Sequence, residues 1–313
     1  MIENGNPRVQ HYRIPSRGEC VSCHNPGAGH ALSFNTRQIN RIEDIHGFIG
    51  NQLTLLQLAG YFSNTPDSPN LLPRHLRADE TQFPVEARVR SYLAVNCANC
   101  HASGINIAPA SWDASAHLPL AATLLINGPA TQNGGNAANR LIVPGDTAHS
   151  IVLNRVAVAN GFTRMPPLGS NELDATSIAL LTEWITTALP ARQSYADWRL
   201  ANFGSANSPE GTIDFDADAD GSVNGHEFLA GTAPQNGGSF LTVQPAAFGA
   251  GIALTFDLPA NRSWQIETSG DLATWTLWNV PGNAGLPHAG GPVMITGPQV
   301  GNRQFFRLRL WEN

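Results

Sequence analysis

The period of the hydrophobic pattern changes along the chain. Between Asn51 and Phe62, Leu53, Leu55, Leu56 and Leu58 fall at helical spacing, which predicts a helix broken by Gly60 and the Asn64–Pro69 cluster. Val85 to Val95 predicts a second helix. Asp174 suits the N-cap of a third, with Ile178, Leu181, Ile185 and Leu189 along one face before Pro190 ends it. A short helix is expected at Tyr195-Ala196-Asp197-Trp198. From residue 235 the period drops towards two. Ile252, Leu254 and Phe256, then Trp264 and Ile266, Trp275 and Leu277, and Phe305, Arg307 and Arg309 alternate between Gly/Pro/Asn turns, the pattern of a small antiparallel sandwich.

A chain of 313 residues is too long for one small domain. Four regions are expected: residues 1–82, 83–190, 191–234 and 235–313. Charged residues make up only 13%, and Gly and Pro are abundant, as in a soluble, loop-rich protein. No apolar run reaches membrane-spanning length. The net charge of −6 argues against nucleic-acid binding, which wants a basic face. All 18 basic residues are Arg, so docking through a ring of lysines is excluded.

The four cysteines fall in two identical settings: Cys20-Val-Ser-Cys23-His24 and Cys97-Ala-Asn-Cys100-His101. C-x-x-C-H is the attachment signature of c-type haem. The thiols add across two porphyrin vinyl groups, and the adjacent imidazole, His24 or His101, becomes the proximal iron ligand. A redox dithiol, a four-cysteine zinc site or two short disulfides are the alternatives. The long gap between the pairs exceeds zinc-ribbon spacing, and two complete motifs with no cysteine left over favour two covalent haems.

A sixth iron ligand is Met or His in electron-transfer haems. Met165, in Met165-Pro166-Pro167-Leu168-Gly169 ahead of the last helix of the region, is expected to serve the second haem, on a loop stiffened by its prolines. As a soft neutral thioether it should give that haem the higher potential. For the first haem the candidates are His75 and His46, then His30, with His11 also in range. Bis-His ligation implies a relay, whereas an open iron permits peroxide chemistry.

Asp216-Ala-Asp218-Ala-Asp220-Gly221-Ser222-Val223-Asn224-Gly225-His226-Glu227 fits a twelve-residue EF-hand loop. Asp216, Asp218 and Asp220 supply carboxylates, Gly221 the sharp turn, Ser222 its carbonyl and Glu227 two closing oxygens. One calcium ion is expected, as a staple rather than a sensor.

Tyr12-Arg13-Ile14-Pro15-Ser16-Arg17 before the first motif, Thr36-Arg37-Gln38-Ile39-Asn40-Arg41, Asn51-Gln52-Leu53, Ser91-Tyr92-Leu93 before the second, Pro144-Gly145-Asp146 and Met165–Gly169 together resemble the di-haem c-type cytochrome module of bacterial exported proteins. That module is often joined to, or partnered with, a quinoprotein sugar-dehydrogenase-like propeller. The resemblance covers about residues 10–190. It implies His24 and His101 as proximal ligands and Met165 as a distal one. Residues 197–232 resemble linkers of large secreted proteins of the Verrucomicrobia and Planctomycetes type, and the last region resembles their C-terminal sandwiches.

The expected fold is therefore multidomain: a mainly α di-haem cytochrome c with a class I-like second haem domain, an EF-hand-like calcium loop and a small all-β sandwich. Electron transfer in the periplasm or outside the cell is the expected function, between a partner dehydrogenase and a downstream acceptor. Met1 to Arg17 is polar, so either an export signal precedes this sequence or it is the C-terminal part of a longer exported protein. Two rival readings remain. One is a di-haem peroxidase with the first haem as the peroxide site and Glu43, Gln38 or Gln52 beside it. The other is a surface-attachment or carbohydrate-binding protein stacking sugar on Trp264, Trp275 or Trp278.

Overall fold

The structure, a computed structural model, describes all residues except 1, 4–5, 8, 10–11, 27–31, 33, 65, 106–111, 302 and 313. In chain order, strands β1 (Ile2–Glu3) and β2 (Asn6–Pro7) pair ahead of helix α1 (Arg17–Cys23). Helix α2 (Thr36–Ile39), the hairpin β3 (Ile42–Ile45)–β4 (Phe48–Asn51) and α3 (Gln52–Leu58) follow. Then come α4 (Val85–Cys97), α5 (Ile151–Ala157), α6 (Ala175–Glu183), α7 (Tyr195–Phe203) and α8 (Asn224–Ala230). Strands β5 (Gln244–Phe248), β6 (Gly251–Leu258), β7 (Arg262–Ser269), β8 (Thr276–Leu277), β9 (Pro287–His288), β10 (Gly291–Pro298) and β11 (Phe305–Glu312) complete the chain. None of the helices is long and apolar enough to cross a membrane, among the described residues.

The expectation of a mainly α cytochrome is corrected. The chain is 27% helix and 20% strand, a mixed α/β protein with eight helices and several small sheets among the described residues. Two physical causes stand out. The Gly-, Pro- and Asn-rich segment between Ile126 and Ser150 cannot sustain a helix and is held instead by isolated bridges such as Ile126↔Ile142 and Pro129↔Arg140. And β3 and β4 form a hairpin where no strand was expected. Its turn needs positive φ at both central residues, which His46 (φ 54°) and Gly47 (φ 87°) adopt, while the Gly47 N–H donates to Asp44 Oδ1 at 2.6 Å.

The chain divides into two units: Met1–Ser33, Arg77–Asp79 and Arg88–Ala191 form one, and Phe34–Leu76, Glu80–Ala87 and Arg192–Asn313 the other. In the first unit, α4 buries Val89 and Leu93, α6 buries Leu181, and the turn that continues α6 buries Trp184 and Ile185, all completely or nearly so. Asp174 caps α6, its Oδ1 accepting the Ser177 N–H at 3.0 Å. The helix then widens into a π turn at Trp184–Ala188, where the Leu189 N–H reaches back to the Trp184 carbonyl. Thr182, Thr186 and Thr187 hydroxyls bond carbonyls four residues earlier along this stretch, a habit that bends helices. The Ile185 carbonyl is taken by the Gly145 N–H at 2.7 Å, fixing the Pro144-Gly145-Asp146 turn at the positive φ only glycine adopts freely.

In the second unit two antiparallel sheets, ordered β10-β6-β5 and β11-β7-β8 with β9 on β7, enclose one core of Leu254, Phe256, Trp264, Ile266, Trp278 and Val293 among others. Trp264 meets Phe256 edge to face at 5.2 Å, and Trp278 meets Phe306 at 5.1 Å. Both indoles are therefore core residues, while half-buried Trp275 lies under the Arg307 guanidinium at 4.5 Å. Helix α7 opens with a capping box from Ser194 and Asp197 and buries Trp198 against Tyr195 and Phe228.

Candidate functional site

Helix α1 delivers the first cysteine motif. Ser16 and Glu19 form its capping box, and Arg13 pairs with Glu19. The helix ends at Cys23, where the His24 N–H bonds the Cys20 carbonyl at 2.9 Å. It buries no residue at all; Cys20 and His24 are exposed, and so are the apolar side chains of Tyr12, Ile14 and Val21 nearby in sequence.

The second motif is built deeper. Helix α4 runs to Cys97, and the Cys100 and His101 N–H groups both turn back to the Cys97 carbonyl at 3.0 and 2.8 Å. The His101 ring stacks on Trp112 with centroids 4.7 Å apart. The next residue, Asp113, locks this turn by accepting the Ser103 and Ser115 N–H groups at 2.7 and 2.8 Å. Burial works to raise the Asp113 carboxyl, but these hydrogen bonds outweigh it and hold it at about 2. Burial, reinforced by Arg155, lowers His101 and favours its neutral imidazole, and its buried Nδ1 has no hydrogen-bond partner.

Cys23, Cys97, Cys100, His101 and Met165 all line one cavity of about 230 Å³. The rest of its wall is largely apolar, including Trp112, Leu141, Ile151, Val152, Val156 and Leu168. Met165 reaches it from a loop tied to α5: its N–H donates to the Arg155 carbonyl at 3.1 Å, and the Arg155 guanidinium bonds Thr163 Oγ1 and Gln132 Oε1 at 3.0 and 3.1 Å. Residues 164 to 170 are cross-tied by bonds from Arg164 to the Ser170 carbonyl and from Ser170 to the Pro166 carbonyl.

All four cysteines are free thiols. Burial pushes the Cys97 and Cys100 thiols well above the ordinary range, Cys100 also feeling Cys23. Zinc needs thiolates converging on one point, and the four do not converge: among the described residues, the one group of three or more such side chains with ligand atoms within 4.8 Å is Asp216, Asp218 and Asp220. The cavity instead gathers three thiols, the His101 imidazole and the Met165 thioether on an apolar wall, a donor set compatible with a porphyrin anchored through Cys97 and Cys100.

The candidates for the first haem's sixth ligand are placed as follows. His46 is exposed at the hairpin turn. His75 is half-buried, its N–H on the Arg37 carbonyl at 2.8 Å and its Nδ1 without a partner; burial, then Arg37 and Arg41, push it down to about 4, which keeps the imidazole neutral. His30 and His11 lie outside the described residues. Of the residues expected beside a peroxide site, Gln38 is used in capping α2, Glu43 pairs with Arg41 at 3.1 Å, and Gln52 opens α3.

Asp216 accepts the Ala219 and Gly221 N–H groups at 2.8 and 2.9 Å, Asp218 accepts that of Asp220 at 3.2 Å and Asp220 that of Ser222 at 2.7 Å, while Gly221 takes φ 96°. These bonds leave Asp218 Oδ2, Asp220 Oδ2 and Glu227 Oε2 buried without partners. Glu227 is 1% exposed, and burial together with Asp218, Asp220 and Asp216 raises it to about 7. Such a crowd of unsatisfied oxygens fits a hard cation. The ends of the loop are closed by the Asn224 N–H on the Phe215 carbonyl and the Gly225 N–H on the Ile213 carbonyl, so close that a Cβ on Gly225 would lie 2.6 Å from Ile213.

Trp112, Arg155 and Gln132 were missed in the sequence, because they sit in loops or on a short helix without periodic signal. Asn224 was read only as part of the loop. It is wholly buried and its amide donates to the Glu210 and Thr212 carbonyls at 2.8 Å each. The chain matches no family model, no curated protein and no solved structure.

Proposed function

We propose that this chain is a di-haem c-type cytochrome, an electron carrier of the periplasm or cell exterior working between a partner dehydrogenase and a downstream acceptor. The observation that carries the reading is the apolar cavity on which Cys97, Cys100, His101 and Met165 all open. When bound, haem c supplies a one-electron ferric–ferrous couple.

The side chains prepare that couple. Cys97 and Cys100 would anchor the second haem from the wall of the cavity. His101, neutral and stacked on Trp112, offers its lone pair as proximal ligand. Met165, tethered through Arg155, offers a soft thioether that favours the ferrous state. Cys20, Cys23 and His24 anchor the first haem. Asp216, Asp218, Asp220, Ser222 and Glu227 bind one calcium ion. An ion held there would tie down the loop that leads into α8, whose Phe228 lies under Arg262 at 4.6 Å while Arg262 pairs with Glu312 at 3.1 Å.

Spectroelectrochemistry of protein matured in a host competent for haem attachment tests the reading. Two one-electron waves with haem spectra are expected. A protein that stays redox-silent across the range accessible to haem would overturn it.

A further inference from the structure

The Sγ atoms of Cys23 and Cys100, one from each motif and 77 residues apart, lie 3.9 Å from one another. That is van der Waals contact, about twice the roughly 2.05 Å of a disulfide bond. The contact belongs to a larger arrangement. Ser22 and Cys23 at the end of α1 line the same cavity as Cys97, Cys100, His101 and Met165. Cys20, by contrast, is exposed. The first motif thus turns one of its two thiols towards the second motif and the other towards solvent.

We propose that Cys23 and Cys100 stay neighbours in the mature protein, so that the two haems are attached at adjoining edges and behave as one coupled pair. The inference rests on the di-haem reading above. Each thioether forms when a thiol S–H adds across a vinyl double bond: the S–C bond forms at the vinyl carbon nearest the ring, and the proton goes to the other carbon. Neither oxidant nor reductant is consumed. Each sulfur then sits one carbon away from its pyrrole ring. Two sulfurs in contact therefore bring two pyrrole edges within a few bond lengths. At that separation, in a poorly solvated wall, the charge on one iron is felt by the other, and the two potentials become properties of the pair.

Intact mass and Soret circular dichroism together test this. The expected result is a mass with two porphyrins and a two-signed Soret couplet, absent from the Cys20→Ala/Cys23→Ala variant that carries one haem. Should that variant fail to fold, the wild type decides: its couplet collapses when only the higher-potential haem is reduced. Two porphyrins with a Soret signal of one sign, unchanged in shape at half reduction, overturn the coupled pair and leave the carrier reading standing. A mass without porphyrin overturns both.

Discussion

The Met165 N–H is hydrogen-bonded to the Arg155 carbonyl at 3.1 Å, while the Arg155 side chain holds Thr163 and Gln132 and sits over the Phe162 ring at 5.5 Å. One residue of α5 thus carries the methionine loop by both its backbone and its side chain. The thioether is positioned by a helix rather than by the loop alone.

Met165→Ala removes a sulfur without touching either cysteine motif. Both haems should remain by mass. The ferric protein should lose its sulfur-to-iron absorption band, and the ferrous protein should gain carbon monoxide binding. The higher potential should fall by on the order of 0.1 V, within the roughly 0.8 V that axial ligands set.

Arg155→Ala keeps the backbone bond to Met165 but frees the loop from Thr163 and Gln132. Charged hydrogen bonds of this kind contribute about 1–3 kcal/mol. The sulfur band should then vanish at a lower temperature than in wild type, ahead of global unfolding, as followed by absorbance and far-ultraviolet dichroism in one melt.

Asp113 is held at about 2, below its unfolded value, so its ionised form stabilises the fold above the unfolded value, and that contribution is lost as pH falls towards 2. Asp113→Asn should be less stable than wild type at pH 7. The gap should close as pH falls from about 4 to 2. Melting temperatures of the two proteins across that range give the check.

Calcium should raise the melting temperature of the second unit. Saturation at 100 times the dissociation constant adds about 2.7 kcal/mol. Chelation should reverse the gain. Glu227→Gln should blunt it, because it removes a charge from a carboxyl group with a buried, unpartnered oxygen.

Gly297 lies against the sandwich core, where an added Cβ would meet Val280 at 2.4 Å and Trp278 at 2.6 Å. Gly297→Ala should cost roughly 1–3 kcal/mol by overpacking, read as a lowered denaturation midpoint at unchanged slope.

What was legible in the sequence is what depends on local pattern. The leucines of α3, the run of α4 into Cys97, the Asp174 cap and the strand alternation of Ile252, Leu254 and Phe256 are set by neighbours within a few residues. The acidic loop was legible for the same reason, since twelve consecutive residues supply its geometry. The β3–β4 hairpin escaped because His46 hides a turn usually announced by Asn-Gly or Asp-Gly. The π turn after α6 escaped too, because the hydrogen bond it offers to Gly145 joins residues forty positions apart. The approach of Cys23 to Cys100, the Trp112 stack and the Arg155 tether are tertiary relationships that no spacing encodes.

The most direct test is the intact mass of protein matured where covalent haem attachment operates, followed by fragment mapping. The account expects the chain plus two porphyrins, one on the peptide carrying Cys20 and Cys23 and one on that carrying Cys97 and Cys100. A colourless protein at the mass of the bare chain would contradict it.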